Sequence, residues 1–138
     1  MTVTSAVVPL LVFEAADCLM AIPASEIAHL EGSDPLFTDT ESRAAFDLGK
    51  YFNGRKSDGP WLHWGRGARA AWLRVQWVID VVPIAVSGMS PMPALLRRDR
   101  RTRAFLAAGV RGDDVFLLLD PARLSDMVGR GFSRAGNE

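Results

Sequence analysis

The stretch VVPLLVFEAADCLMAIPASEIAHLE, residues 7–31, decides the fold. Val7 to Phe13 is an apolar run rich in β-branched residues. It stops at Glu14-Ala15-Ala16-Asp17, and Cys18 to Pro23 is apolar again. Two short apolar runs around a small polar break read as a β-hairpin. The run from Ala6 to Phe13 is too short to cross a bilayer, and no basic residue precedes it. A strand is therefore expected there, not an anchor or export signal. Residues 24–31, ASEIAHLE, fit either an extension of the strand or one helical turn.

Further strands are expected downstream. Residues 32–41, GSDPLFTDTE, are rich in turn formers. Thr38 with Glu41 fits a capping box and a short helix through Ala45. The stretch 53–60, NGRKSDGP, is a loop. Trp61–Trp64 and Ala70–Trp77 read as strands joined by a glycine-containing turn. In the second of these, alternation puts Ala71, Leu73, Val75 and Trp77 on a buried face. Trp72, Arg74 and Gln76 fall on the other. Val78 to Ile84 continues as strand, and residues 87–103 form a long irregular connection. Phe105–Val110 and Val115–Leu119 make a last hairpin. A short C-terminal helix follows, with Asp120 as N-cap and Pro121 in its first turn. The tail 129–138 is expected to fray. Seven or eight short strands with turns between them predict an all-β barrel or sandwich in one domain, residues 1–128.

Composition bounds the function. The chain has 138 residues, 49% apolar and 23% charged, which is ordinary for a globular domain. Its formal net charge is zero, which excludes a strong overall field for nucleic acid or an anionic membrane. The charge is uneven along the chain: residues 1–48 carry eight acids and one base, a net of −7. A single cysteine forbids an intrachain disulfide and fits a reducing cytoplasm.

No catalytic or cofactor motif stands out. His29, His63 and Cys18 are scattered, without the paired spacing of a metal site. Cys18, on an apparent core strand, reads as a buried inert thiol. No phosphate loop, dinucleotide fingerprint or nucleophile elbow occurs. The expectation is a non-enzyme with no cofactor or metal. Five arginines between Arg97 and Arg103 are the one feature suited to phosphates. Asp99 interrupts them and no aromatic lies among them, so nucleic-acid binding ranks below a protein partner or a solvated loop. Trp72 beside Arg74 has the composition of an interface hot spot if half-exposed. A tryptophan covering the fold's own edge is the alternative.

Taken in order, four segments resemble the CheW family, the chemotaxis coupling adaptors. LLVFEAADCLMAIPASEIAHLE is similar to the family's opening, with Ile22-Pro23 followed by Ile27 and Leu30. AFDLGKYF, residues 45–52, resembles its Asp-Leu element and short helix. LRVQWVIDVVPI, residues 73–84, is similar to its valine-rich strand, and AAGVRGDDVFLLLDPARL, residues 107–124, to its closing hairpin and helix. Three departures stand out. Only GSDPLFTDTESR separates Glu31 from Ala44, so most of a Pro-rich loop and Asn-Leu-Arg-Gly segment is missing. His29 stands where the family has an acid. Trp72 stands where it has a glycine, and Gln76 where it has an aspartate.

The resemblance implies two small SH3-like β-barrels sharing a core, and a cytoplasmic scaffold without catalysis. The implied partners are a chemoreceptor tip and a histidine kinase regulatory domain. The implied receptor edge contains Ile27, His29 and Leu30, and Trp72 with Arg74 is a further expected contact. The missing segment implies weakened kinase binding. A decoy of the same fold is the alternative.

Overall fold

A computed structural model of the protein describes residues 6–32, 45–65, 71–92, 103–120 and 123. The opening hairpin forms as expected. β1 (Val7–Ala15) pairs antiparallel with β2 (Cys18–Pro23), from Leu10 opposite Pro23 to Ala15 opposite Cys18. Ala16 and Asp17 make the two-residue turn with φ of 53° and 63°. Positive φ at both central residues matches the turn to the right-handed twist of the strands. Residues 24–31 combine both expected conformations: a 3₁₀ turn over Ala24–Glu26, then β3 (Ile27–Glu31).

β4 (Ala45–Asp47) leads straight into α1 (Leu48–Asn53). Asp47 caps this helix, accepting from the backbone N–H of Gly49 (2.9 Å) and Lys50 (3.2 Å). Gly54 closes it at φ 78°, the left-handed conformation that costs glycine least. The same Asp47 carboxylate holds Ser57, ten residues on, by the serine N–H (2.7 Å) and hydroxyl (2.6 Å). The 53–60 loop is thereby fixed against the start of the helix.

β5 (Trp61–Trp64) pairs with β6 (Ala71–Arg74). The expected single strand 70–77 is two pieces. β6 ends at Arg74, and β7 (Trp77–Ala85) begins in the other sheet. Val75 N–H donates to Pro60 O and Gln76 N–H to Glu14 O, so neighbouring residues are tied to different segments. The break corrects the face assignment: Ala71, Leu73 and Val75 are buried, but Trp77 is 50% exposed. Within 87–103, a 3₁₀ turn (Val86–Gly88) and β8 (Met89–Pro91) replace part of the expected irregular connection. β9 (Phe105–Arg111) and β10 (Asp114–Leu119) form the last hairpin. Residues 38–44 of the expected short helix lie outside the described residues, and Ala45, its expected end, is instead the first residue of β4. The tail and, apart from Asp120 and Arg123, the expected C-terminal helix also lie outside the described residues.

The strands form two sheets, a six-stranded one in the order β7-β1-β2-β10-β9-β8 and a four-stranded one in the order β3-β5-β6-β4. The fold is all-β, as expected, with two sheets standing where two barrels were implied. No ladder closes either sheet among the described residues. β1 is apolar at consecutive positions because both its faces are covered. Leu11, Phe13 and Ala15 join Leu62, Trp64 and Leu73 of the other sheet in a shared core. Leu10 and Val12 face a second cluster with Ala21, Ile84 and Phe116. Cys18 corrects its reading: it is the first residue of β2, beyond the covered region, and is exposed.

β7 is an edge strand with exposed Trp77, Ile79 and Val81. Such an edge invites pairing with another chain. Val86 N–H bonds Ala6 O, and by alternation the N–H positions of residues 85, 83 and 81 point outward. Residue 83 is proline and has no N–H. The N–H of Val81 donates to the Asp80 carboxylate at 2.7 Å. Both outward donors at the middle of the edge are thus removed. The double substitution Asp80→Ala with Pro83→Val should raise self-association relative to the parent chain. Light scattering across a concentration series will read it; unchanged mass would show that the edge is protected by other means.

Candidate functional site

The expected contact residues lie on one sheet. Ile27, His29 and Leu30 are on β3, at its edge, and Trp72 and Arg74 are on β6. β5 lies between them. Ile27 opposes Trp64 and is half-buried against the shared core. A register shift between Ile27 and His29 follows. Beyond it His29 is exposed, and Leu30 is 51% exposed. Upstream, Trp64 Nε1 donates to Glu26 Oε2 at 2.8 Å, fixing the turn from which β3 departs.

Cross-strand register lines up His29, His63 and Trp72 in one row. The His63 ring stacks on the Trp72 indole, with centroids 4.5 Å apart and planes at 25°. His29 meets the same indole edge-on at 6.4 Å. The Nε2–H of His29 donates to the Glu31 carboxylate along the strand. A second row runs Glu31, Trp61, Arg74, Asp47. Arg74 donates from Nε to Gly59 O at 3.2 Å, and its guanidinium lies 5.7 Å from the Trp61 ring centre.

Trp72 therefore corrects one expectation. It shares a face with Arg74, but it is 9% exposed, not half-exposed. Its ring packs against both imidazoles, stacked on His63 and edge-on to His29, so it supports His29 from within the sheet. Pairing of the two histidines was not visible in the sequence. They are 34 positions apart, and only the β3–β5 register brings them together. Among the described residues no group of three or more His, Cys, Asp or Glu side chains is placed to hold a metal. Of the arginine cluster only Arg103 lies within the described residues. Its carbonyl accepts from Arg123 Nη1 at 3.4 Å. Among the described residues no helix is long and apolar enough to cross a membrane.

The chain thus combines two sheets over a shared core with a half-apolar strand edge on the smaller sheet. No protein-family model and no curated protein matches the chain. Among solved structures, the scaffolding protein TtCheW from Thermoanaerobacter tengcongensis is similar, with a TM-score of 0.63 and 19% sequence identity. The match covers 81% of this chain and 88% of that one. The chain has the CheW-like fold, with a sequence far diverged from that neighbour.

Proposed function

We propose that the protein is a non-enzymatic adaptor of a bacterial chemosensory array, working in the cytoplasm. The observation that carries this reading is the β3 edge on a CheW-like fold, where Leu30 and His29 are presented to solvent. An exposed leucine on a strand edge contributes apolar area that a partner can bury, and the adjoining imidazole gives polar specificity. The proposed partner is a chemoreceptor tip, held by Ile27, His29 and Leu30. Trp72 and Arg74 act behind the edge, holding the imidazole row and the 53–60 loop in place. A histidine kinase regulatory domain is the second proposed partner, bound weakly because the segment between Glu31 and Ala44 is short.

That shortness favours one other reading, a decoy that occupies receptors without coupling a kinase. Adding the protein to a reconstituted receptor and kinase separates the two: an adaptor supports phosphorylation, and a decoy suppresses it.

Binding is tested with the cognate receptor tip and the cognate kinase domain in separate pull-downs. Leu30→Asp should weaken receptor binding at least about tenfold, because it buries a charge where an apolar side chain docked. A substitution at exposed Leu30 leaves the core intact, so folding should persist by circular dichroism. Failure of the unmodified protein to bind either partner would sink the adaptor reading.

A further inference from the structure

A cleft of about 290 Å³ lies away from the β3 edge, between the β1–β2 turn and the 53–60 loop. Trp77 forms one wall. It is the one strongly exposed tryptophan of the four, since Trp61, Trp64 and Trp72 are all buried. Glu14 is its direct cross-strand neighbour. Asp17 and Asp58 approach from the turn and from the loop. Asn53 Nδ2 donates to Asp17 Oδ2 at 3.3 Å, orienting that carboxylate and leaving Oδ1 to accept, and the Asp58 N–H donates to Gln76 Oε1 at 3.2 Å, bracing the backbone of Asp58. The half-buried Glu14 side chain makes no hydrogen bond or ion pair within the described residues. Arg55 and Lys56 also line the cleft, adjacent on one exposed loop.

We propose that this cleft seats an arginine side chain from an extended segment of a protein partner. A planar guanidinium stacks on an indole face and offers several N–H donors in one plane. Trp77 supplies the face, and Glu14 beside it supplies an acceptor that has no partner among the described residues. Asp17 and Asp58 add two further carboxylates from separate segments. Lysine would meet the charge but not the flat surface. The site is separate from β3, so it stands or falls independently of the receptor-edge reading.

The test uses the full chain, isotope-labelled, titrated with acetyl-Gly-Arg-Gly-amide and with its norleucine and glutamate counterparts. The Trp77 indole N–H and Gln76 side-chain amide should shift saturably with the arginine peptide. Glu14→Gln and Trp77→Leu should each weaken that binding about three- to fivefold, the size of one exposed contact. Both positions are on the surface of the cleft, and circular dichroism verifies that the variants fold. An equal response to the norleucine peptide would mean an apolar slot. An equal response to the glutamate peptide would mean an anion site on Arg55 and Lys56. Either result overturns the proposal, as does arginine binding unchanged by Glu14→Gln.

Discussion

Phe116→Ala should cost about 3–5 kcal/mol of folding stability, the usual range for emptying a buried aromatic site. Phe116 is 1% exposed in the centre of the second cluster, with Leu10, Val12, Ala21 and Ile84 around it. It lies on β10 directly opposite Gly109 of β9. Its ring covers that glycine: a Cβ added there would overlap the ring carbons. The glycine makes room for the ring, and the ring fills the gap that the glycine leaves. Gly109→Val should therefore also destabilise, by about 2–3 kcal/mol through overpacking. Adding Phe116→Leu to Gly109→Val should recover part of that loss, because a smaller side chain frees the space. Urea unfolding of Gly109→Val, Phe116→Leu, the double variant and the parent gives the cycle. Fully additive losses would show that the two residues do not share the space.

Asp47→Ala should cost about 3 kcal/mol, which combines two losses. Removing a helix cap costs about 1 kcal/mol. Leaving the buried Ser57 N–H and hydroxyl without their acceptor costs a further ~1–3 kcal/mol. Ser57 is 2% exposed, so water does not readily replace the carboxylate. α1 has only six residues and cannot stand on intrinsic propensity, so the cap matters more than in a long helix. Asp47→Asn should be milder, because its one carbonyl oxygen still accepts from the helix end. That oxygen also accepts from the Ser57 hydroxyl, but the amide nitrogen in place of Oδ2 cannot accept from the Ser57 N–H. The same unfolding measurement reads the effect. A loss below about 1 kcal/mol for the alanine variant would show that the loop finds other partners.

Local pairing was legible wherever a short turn joined two apolar runs. The β1–β2 and β9–β10 hairpins come within a residue or two of expectation, since their turn chemistry and apolar runs lie within a few positions of each other. Face assignment failed where the chain changed sheets. Period-2 reading carried Trp77 onto the buried face, because nothing in LRVQWV signals that alternation stops at Val75. Once a strand breaks, later side chains lose their phase with earlier ones. Trp72 failed for a different reason: its burial comes from His63 and His29 on two other strands.

Sequence by itself determined the all-β class, the opening and closing hairpins, the Asp-Leu helix start and the absence of a recognisable catalytic motif, because each depends on residues near one another in the chain. It also put Ile27, His29 and Leu30 together, since they share one strand. Tertiary structure alone decided the parallel pairings of β2 with β10 and of β4 with β6. It alone brought the two histidines and Trp72 into one row, closed the β7 edge with Asp80 and Pro83, and opened the cleft beside Trp77. Each of these depends on register between strands far apart in the chain, and register is set by which faces the whole core can bury together.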